Sequence, residues 1–243
     1  MPNNNNLATM MQFKRETDAA VDLYIYGDIV SESFCKWFEE DTYPMEVRDM
    51  IKNADGRDIN VHINSGGGSV FAGIAIYNML KNYEGTVTTY IDGLAASIAS
   101  VIAMAGDRIV MRTGSNLMVH KPSAILLGMY NADDLTQYAD TLDEIQKSIM
   151  QVYMDRMRPE ASIEEIEQLV NNETWMTSEE AVKYFDIEPE ALEAVASIKS
   201  DFIDRYLTIP PQYAQEEPED KDDENIRIKQ KMNFDFLNLG GKK

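Results

Sequence analysis

The chain has 243 residues, of which 42 are acidic and 22 are basic, so its formal net charge at neutral pH is −20. A charge of this sign and size argues against nucleic acid and anionic membrane as partners, because both repel an acidic surface. The hydrophobic content of 44% is enough for one sizeable core, and no apolar run reaches the roughly twenty residues that a membrane span needs.

The N-terminal sequence and the cysteine content predict a soluble, cytoplasmic protein. Residues 1–20 are polar and asparagine-rich and lack the apolar core of a signal peptide, so we expect a flexible N-terminal segment. The only cysteine, Cys35, cannot form an intramolecular disulfide, which suits a reducing compartment. Because Cys35 lies in an amphipathic run, we expect it to be packed in the core and not to act as a nucleophile.

Strand-like and helix-like segments alternate along the chain, which predicts an α/β fold built from βαβ units. The predicted strands are residues 23–29, 59–64, 86–91, 108–111 and 117–120. Helices are expected between the longer strands. This pattern alone does not distinguish a doubly wound sheet from a spiral of stacked βαβ units.

Three consecutive glycines, residues 66–68, lie between the second predicted strand and a helix that is expected to begin near Ser69. Such a loop brings bare backbone N–H groups close to a ligand. The glycine patterns that bind phosphate in nucleotide-binding loops do not fit here. The glycines therefore favour an oxyanion hole or a peptide-binding edge, with a plain tight turn as the alternative.

Ser97 has the strongest sequence signal for a nucleophile. It lies shortly after Gly93, where a strand, a glycine turn and a helix are expected to meet. The free backbone N–H groups at the start of a helix can stabilise an oxyanion next to such a serine. A serine nucleophile needs a base, and the chain has two histidines. We favour His120 over His62, because His120 ends a strand just before Pro122 and strand ends face the ligand crevice in α/β proteins.

These motifs, in this order, resemble those of the Clp-type serine peptidases, a family of proteolytic subunits that also includes phage head-maturation proteases. The resemblance covers about residues 22–196 and rests on segments 63–68, 93–97, 105–108, 118–122 and 175–182. It implies a crotonase-like spiral of stacked βαβ units with a protruding handle helix. It also implies a homo-oligomer of stacked rings whose active sites face an inner chamber.

The resemblance implies a role for each residue of the site. Ser97 is the expected nucleophile, His120 the general base, and the backbone N–H groups of Gly68 and Ile98 the oxyanion hole. The position of the third residue, usually an aspartate, is occupied by Glu173. Its carboxylate is expected to orient the imidazole and to stabilise the imidazolium. An exposed acid that caps a turn is the alternative for this residue.

Other departures from the family pattern leave alternatives open. Asp155 or Asp186 could take the place of Glu173 as the acid. Gly66 stands where the family usually has a proline, which predicts a more flexible loop. Lys121 replaces a common glutamine after the histidine and raises the alternative of a serine–lysine pair, although its position favours the rim of the site.

An apolar, strand-like segment, residues 123–130, follows the histidine and is expected by resemblance to pair with an extended substrate. Backbone hydrogen bonds of this kind give affinity with little selection of side chains. We also expect a hydrophobic S1 pocket. The expected substrate contacts are Gly67, Ser123, Ala124, Ile125 and Leu126.

A long helix is predicted from residue 132 to 157, with an apolar stripe at spacings of three and four that suits either core packing or a seam between subunits. The chain is predicted to divide into a peptidase domain, residues 21–205, and a C-terminal tail. Residues 206–243 are predicted to be an acidic linker and tail, because residues 212–225 hold seven acids and one lysine. The basic, apolar-containing segment after them is expected to dock on a surface or to be removed by self-processing.

These predictions describe a serine endopeptidase that cleaves peptide or protein substrates without a metal or a cofactor. The short region before the first strand favours a phage or prophage protease that trims scaffold or capsid proteins. Whether an unfoldase ATPase is a partner is left open. Two alternatives remain. One is a crotonase-type acyl-CoA hydratase or hydrolase, and the other is an inactive assembly or scaffold protein on the same fold.

Overall fold

Helices alternate with mostly parallel strands, as the sequence predicts. The computed structural model describes residues 20–193, 203, 206–210 and 213. In this part of the chain the strands are β1 (Ala20–Ile29), β2 (Asp58–Gly68), β3 (Val87–Ala96), β4 (Arg108–Thr113), β5 (Asn116–Val119), β6 (Thr174–Thr177) and β7 (Glu188–Glu193). The helices are α1 (Pro44–Ala54), α2 (Val70–Lys81), α3 (Ile98–Ala103), α4 (Ala132–Asp155), α5 (Ile163–Asn171) and α6 (Ser178–Tyr184).

The sheet is organised around β3. Strands β1, β2, β3, β4 and β7 lie side by side in that order and are parallel. The first half of β3, residues 88–91, pairs with β4, whereas its last residues, 94–96, pair with β5. β6 then adds antiparallel to β5. Because Ala96 is in register with Met118, the residues that follow these two strands leave the sheet at the same edge.

The core lies between one face of the sheet and the helices. Buried residues alternate with half-buried ones along β1 and along the first half of β2, as expected where helices cover only one face. β3 is buried almost throughout, and every residue of α3 is buried. The side chain of Ser69 caps the start of α2 by accepting a hydrogen bond from the Ala72 N–H. The helix therefore begins where the sequence predicts.

Several predicted elements differ from the observed ones. β3 continues through Gly93 instead of turning there, because the next residues find hydrogen-bond partners in β5. β2 likewise continues through the three glycines, paired with β1. Residues 123–130 form no strand. The long helix ends at Asp155, two residues before the predicted end.

The folded domain includes residues beyond the boundary predicted at 205. Tyr206 and Tyr213 are 9% and 4% exposed and pack with apolar residues of β3 and β5. The Tyr213 hydroxyl lies 3.0 Å from the Gly93 carbonyl oxygen and 3.1 Å from Asn116 Oδ1. The predicted N-terminal segment, apart from Ala20, and the acidic and basic parts of the predicted tail lie outside the described residues.

Within the described parts of the chain, none of the helices combines the length and the apolar character that a bilayer crossing requires.

A polar network occupies the half-buried face of the sheet. The Asp92 carboxylate accepts hydrogen bonds from the Tyr26 hydroxyl and from His62 Nδ1, each at 2.8 Å, and from Arg112 Nε. Burial alone would raise the pKa of Asp92, but the bonds from His62, Tyr26 and Arg112 outweigh burial and hold this pKa below its ordinary value. The ionised carboxylate therefore links side chains from four adjacent strands.

We expect Asp92→Asn to lower the free energy of unfolding at pH 7 by about 3 kcal/mol, because the change leaves the Arg112 guanidinium without its closest buried counter-charge. The pKa of Asp92 is lowered by folding, so its contribution is complete above the unfolded value of 3.8 and is lost as the pH falls through the folded value. Urea unfolding of wild type and variant at several pH values measures the difference. A difference below about 0.5 kcal/mol at pH 7 would contradict the expected role of the network.

Candidate active site

Ser97 and His120 meet at the edge where β3 and β5 end. His120 Nε2 lies 2.6 Å from Ser97 Oγ, and the Ser97 N–H donates to the Met118 carbonyl at 3.0 Å. With a neutral imidazole, the serine hydroxyl donates and Nε2 accepts. The structure thus brings together the two residues that the sequence singled out as nucleophile and base.

The backbone of Ser97 is strained. Its φ of 54° and ψ of −124° lie in a region that residues with a Cβ rarely adopt. The Ser97 carbonyl accepts a hydrogen bond from Ser100 Oγ, which in turn accepts one from the Tyr153 hydroxyl at 2.7 Å. A strained serine at a sharp strand-to-helix turn is the geometry of a nucleophile elbow, which presents Oγ to a substrate.

The glycine loop lies directly against Ser97. Gly67 and Gly68 have φ values of 97° and 142°, which favour glycine. A Cβ added to Gly67 would lie 2.8 Å from Ser97 Cβ, and one added to Gly68 would lie 2.1 Å from the Ile29 carbonyl oxygen. Only glycine therefore fits at either position.

Two backbone N–H groups near Ser97, those of Gly68 and Ile98, are the candidates for an oxyanion hole. Ile98 is the first residue of α3, so its N–H has no partner within the helix. Gly68 lines the cleft that also contains Ser97 and His120. The donor role of these two groups stays a prediction.

His120 is set up to act as a base. Burial lowers the pKa of His120 below its ordinary value of 6.5, and the Glu173 carboxylate partly offsets this effect. The imidazole is therefore neutral at pH 7 and can accept a proton. The Tyr206 ring packs edge-on against it, with the ring centres 5.1 Å apart.

Glu173 lines the same cleft, at a position between α5 and β6 where its φ is 50°. Its Oε1 accepts hydrogen bonds from the Thr208 N–H at 2.9 Å and from the Thr208 hydroxyl at 3.2 Å. In the part of the chain that the structure describes, no hydrogen bond joins this carboxylate to His120. Glu173 therefore reaches the site and acts on the histidine through its charge, and its role as third catalytic residue stays a prediction.

The alternative site residues lie elsewhere or at the rim. Asp155 and Asp186 line a separate depression of 290 Å³, beside Arg156 and Arg158. Lys121 is exposed at the rim of the cleft. The hydroxyl of the candidate nucleophile is paired with the histidine and not with this lysine.

His62 and Cys35 are held by packing and hydrogen bonds away from the cleft. The His62 ring stacks between Tyr24 and Tyr90, with ring centres 4.7 Å and 5.1 Å apart, and its Nδ1 is bonded to Asp92. Cys35 is buried in a 3₁₀ turn, and burial raises the pKa of its thiol, which keeps the thiol protonated and unreactive. Neither residue lines the cleft.

The cleft beside the serine–histidine pair has a volume of 570 Å³. Its apolar lining includes five residues of α2, α4 and α5, namely Val70, Phe71, Leu142, Ile145 and Val170. Such a lining suits an apolar side chain of a substrate.

Of the five predicted substrate contacts, Ser123, Ala124 and Ile125 line the cleft, whereas Gly67 and Leu126 do not. Within the described residues, the backbone of residues 121–126 makes no hydrogen bond. Its N–H and C=O groups are therefore available to an extended peptide, although the segment is not itself a strand.

Three residues of the site were not predicted from the sequence. Tyr206 and Leu207 line the cleft, and Thr208 holds the Glu173 carboxylate, but the predicted domain boundary excludes all three. The acidic run that follows dominated the composition of this region. The apolar residues that precede the acids, from Ile203 to Tyr213, are the signal that would have indicated a packed segment.

Fold and site together define a parallel α/β protein with a serine–histidine pair in a cleft at the carboxyl edge of its sheet. The model of the Clp protease family matches residues 48–185, which is more than half of the chain. The chain belongs to the Clp protease family. The family and the crotonase-like α/β fold that the resemblance implied are therefore confirmed.

Several curated relatives carry the name of the same family. Proteolytic subunit 1 of the ATP-dependent Clp protease of Chlamydia abortus is 38% identical over 128 residues, which are 52% of this chain and 66% of the relative. The proteolytic subunit of Bacteroides fragilis is 33% identical over 53% of this chain and 61% of the relative. Subunit 2 of Thermobifida fusca is 34% identical, with shares of 53% and 62%. The chain thus matches less than two thirds of the length of each of these relatives.

We expect Glu173→Gln to lower the pKa of His120, because the change removes the negative charge that opposes the effect of burial. The wild-type pKa of His120 should itself lie below 6.5, so the imidazole stays neutral into mildly acidic solution. Titration of the imidazole NMR signals measures both values. A higher pKa of His120 in the variant would contradict the electrostatic role of Glu173.

Proposed function

We propose that this chain is a serine endopeptidase. The observation that carries the proposal is the 2.6 Å contact between His120 Nε2 and Ser97 Oγ inside a substrate-sized cleft. A serine becomes a nucleophile at neutral pH only beside such a base. The names of the curated relatives, which are proteolytic subunits of Clp proteases, support the proposal.

The proposed reaction is acyl transfer. Ser97 Oγ attacks the carbonyl carbon of a peptide bond while His120 takes the hydroxyl proton. The N–H groups of Gly68 and Ile98 stabilise the negative charge that develops on the carbonyl oxygen. His120 then gives the proton to the leaving amine, and a water molecule, activated by the same histidine, hydrolyses the acyl-enzyme. The side chains and backbone of the protein supply every one of these steps.

Glu173 supports this reaction through its charge in our proposal. The imidazole becomes positively charged when it takes the serine proton, and a carboxylate nearby favours the charged form. The carboxylate is anchored to Thr208, which fixes its distance from the ring. The residue thus contributes to the stability of the imidazolium without bonding to it in the resting site.

We infer that the substrate is an extended peptide with an apolar side chain at the cleavage site. The free backbone of the segment after His120 pairs with the peptide, and the apolar lining from α4 and α5, which includes Leu142, Ile145 and Val170, takes the side chain. Backbone pairing tolerates many sequences. Selection therefore depends mainly on the apolar lining.

We further propose a homo-oligomer of stacked rings that acts in the cytoplasm of a bacterial host and trims phage scaffold or capsid proteins. This assembly role is supported by the motif resemblance alone, since the family includes phage head-maturation proteases. For the ring contact, the apolar stripe of α4 continues into its exposed part at Leu135, which is 49% exposed. The curated relatives, in contrast, are named for an ATP-dependent protease.

Cleavage of an unfolded protein by the purified chain, without ATP or any added ATPase, is the expected result for a maturation protease. Mass spectrometry of the products measures the cleavage and identifies the residues before each cut, which should be mainly apolar. The Ser97→Ala variant is the control for contaminating proteases. Cleavage that occurs only after an unfoldase and ATP are added would contradict the maturation role and favour an ATP-dependent one.

Labelling with a fluorophosphonate, a reagent for activated serines, tests the peptidase proposal directly. We expect one adduct per chain in the wild type, none in Ser97→Ala, and labelling slower by at least about 100-fold in His120→Ala, because the general base is lost. The matched controls are Ser148→Ala, on the exposed side of α4, and His62→Gln, in the polar network. Both should label like the wild type.

The absence of an adduct on folded wild type would contradict the proposal. That result would favour an inactive assembly protein or an acyl-CoA hydratase, which uses the same fold without a paired serine and histidine. The family model that matches the chain is that of the Clp proteases, so the hydratase alternative is not favoured.

A further inference from the structure

The glycine segment that carries the proposed oxyanion donor is paired with β1 at Gly67 and Gly68, but the register shifts at the residues before them. Residues 66–68 are all glycine, and glycine samples a wider range of backbone angles than any other residue. A donor stabilises developing charge only if it is held in place before the reaction begins. Restraints on the irregular residue Gly66 therefore add to the strand pairing that holds the Gly68 N–H.

The peptide group that joins Gly66 to Gly67 is restrained at both of its ends. Its N–H, on Gly67, donates to Ser65 Oγ at 3.1 Å. Its carbonyl, on Gly66, accepts a hydrogen bond from the Tyr206 hydroxyl. The two bonds fix the plane of this peptide group. A turn of this plane changes ψ of Gly66 and φ of Gly67, so holding the plane removes one route by which the adjacent Gly68 N–H could change direction.

Tyr206 is in turn fixed by its own surroundings. It is only 9% exposed, and its ring packs edge-on against His120 and against Trp175, with ring centres 5.1 Å and 6.0 Å apart. Two residues later, Thr208 bonds to the Glu173 carboxylate. One short segment from the C-terminal part of the chain therefore touches the glycine loop, the base and the acidic residue.

We propose that Tyr206 is a positioning residue for the oxyanion hole, whose hydroxyl holds the Gly66–Gly67 peptide group so that the Gly68 N–H points at the substrate carbonyl on Ser97. Tyr206 acts through the loop and not on the reacting atoms. The inference rests on the proposed peptidase function for its catalytic consequence, whereas the restraint on the loop can be measured without any activity.

Tyr206→Phe is the variant that isolates the hydroxyl, because it keeps the aromatic ring against His120 and Trp175. Tyr213→Phe is the matched control. It removes the hydroxyl of a second buried tyrosine in the same part of the chain, but that hydroxyl bonds to Gly93 and Asn116 and not to the loop.

The first readout is hydrogen–deuterium exchange of peptides that cover residues 64–69. Loss of one restraining hydrogen bond should speed exchange there about fivefold in Tyr206→Phe and leave it unchanged in Tyr213→Phe. The second readout is the steady-state hydrolysis of a peptide. A misdirected donor should lower kcat about tenfold, with KM within about twofold of wild type, because the lost interaction is made only in the transition state.

Faster exchange and a lower kcat in Tyr206→Phe alone would support the proposal. Unchanged exchange in Tyr206→Phe would overturn it, and so would an equal loss of kcat in both tyrosine variants, since that result would indicate general destabilisation. If the wild type shows no hydrolysis that depends on Ser97, the peptidase function fails and the catalytic role of Tyr206 fails with it. The exchange measurement then still decides whether the tyrosine restrains the loop.

Discussion

The φ of 54° at Ser97 is a conformation that a residue with a Cβ does not adopt without support, and the surrounding bonds supply that support. The N–H of Ser97 is fixed by the carbonyl of Met118, and its carbonyl is fixed by a chain of two hydroxyls that starts at the fully buried Tyr153. The strained turn ends β3 and begins α3 within one residue. The same turn therefore directs Oγ toward His120 and leaves the N–H of Ile98 without a partner in the helix.

The chain's two histidines, His62 and His120, differ in the groups that surround their rings. His62 has a carboxylate within hydrogen-bond distance and an aromatic ring on each face, so its surroundings fix it in place. Among the described residues no carboxylate is bonded to the His120 ring, and burial lowers its pKa. The imidazole of His120 is therefore neutral in the resting site and can take the serine proton.

The parts of the site that depend on local sequence could be predicted, and those that depend on distant contacts could not. Ser97 and His120 are marked by their position at strand ends and by the motifs around them. The continuation of β3 through Gly93 depends on pairing with β5, which no local pattern reveals. The contact of Tyr206 with the glycine loop joins residues 140 positions apart, across a region whose composition suggested a linker. For the same reason, the bond from Thr208 to Glu173 was not foreseeable.

The contact between Gly67 and Ser97 divides the site into a part that cannot vary and a part that can. An added Cβ at Gly67 would lie 2.8 Å from the Ser97 Cβ, so position 67 must remain glycine while the nucleophile keeps its place. Leu142 and Val170 of the apolar lining belong to α4 and α5, outside the strands that carry Gly67 and lead to Ser97. Mutations that change which peptide is cut can therefore accumulate there while the chemistry is preserved, and this makes the lining the natural place for divergence or redesign.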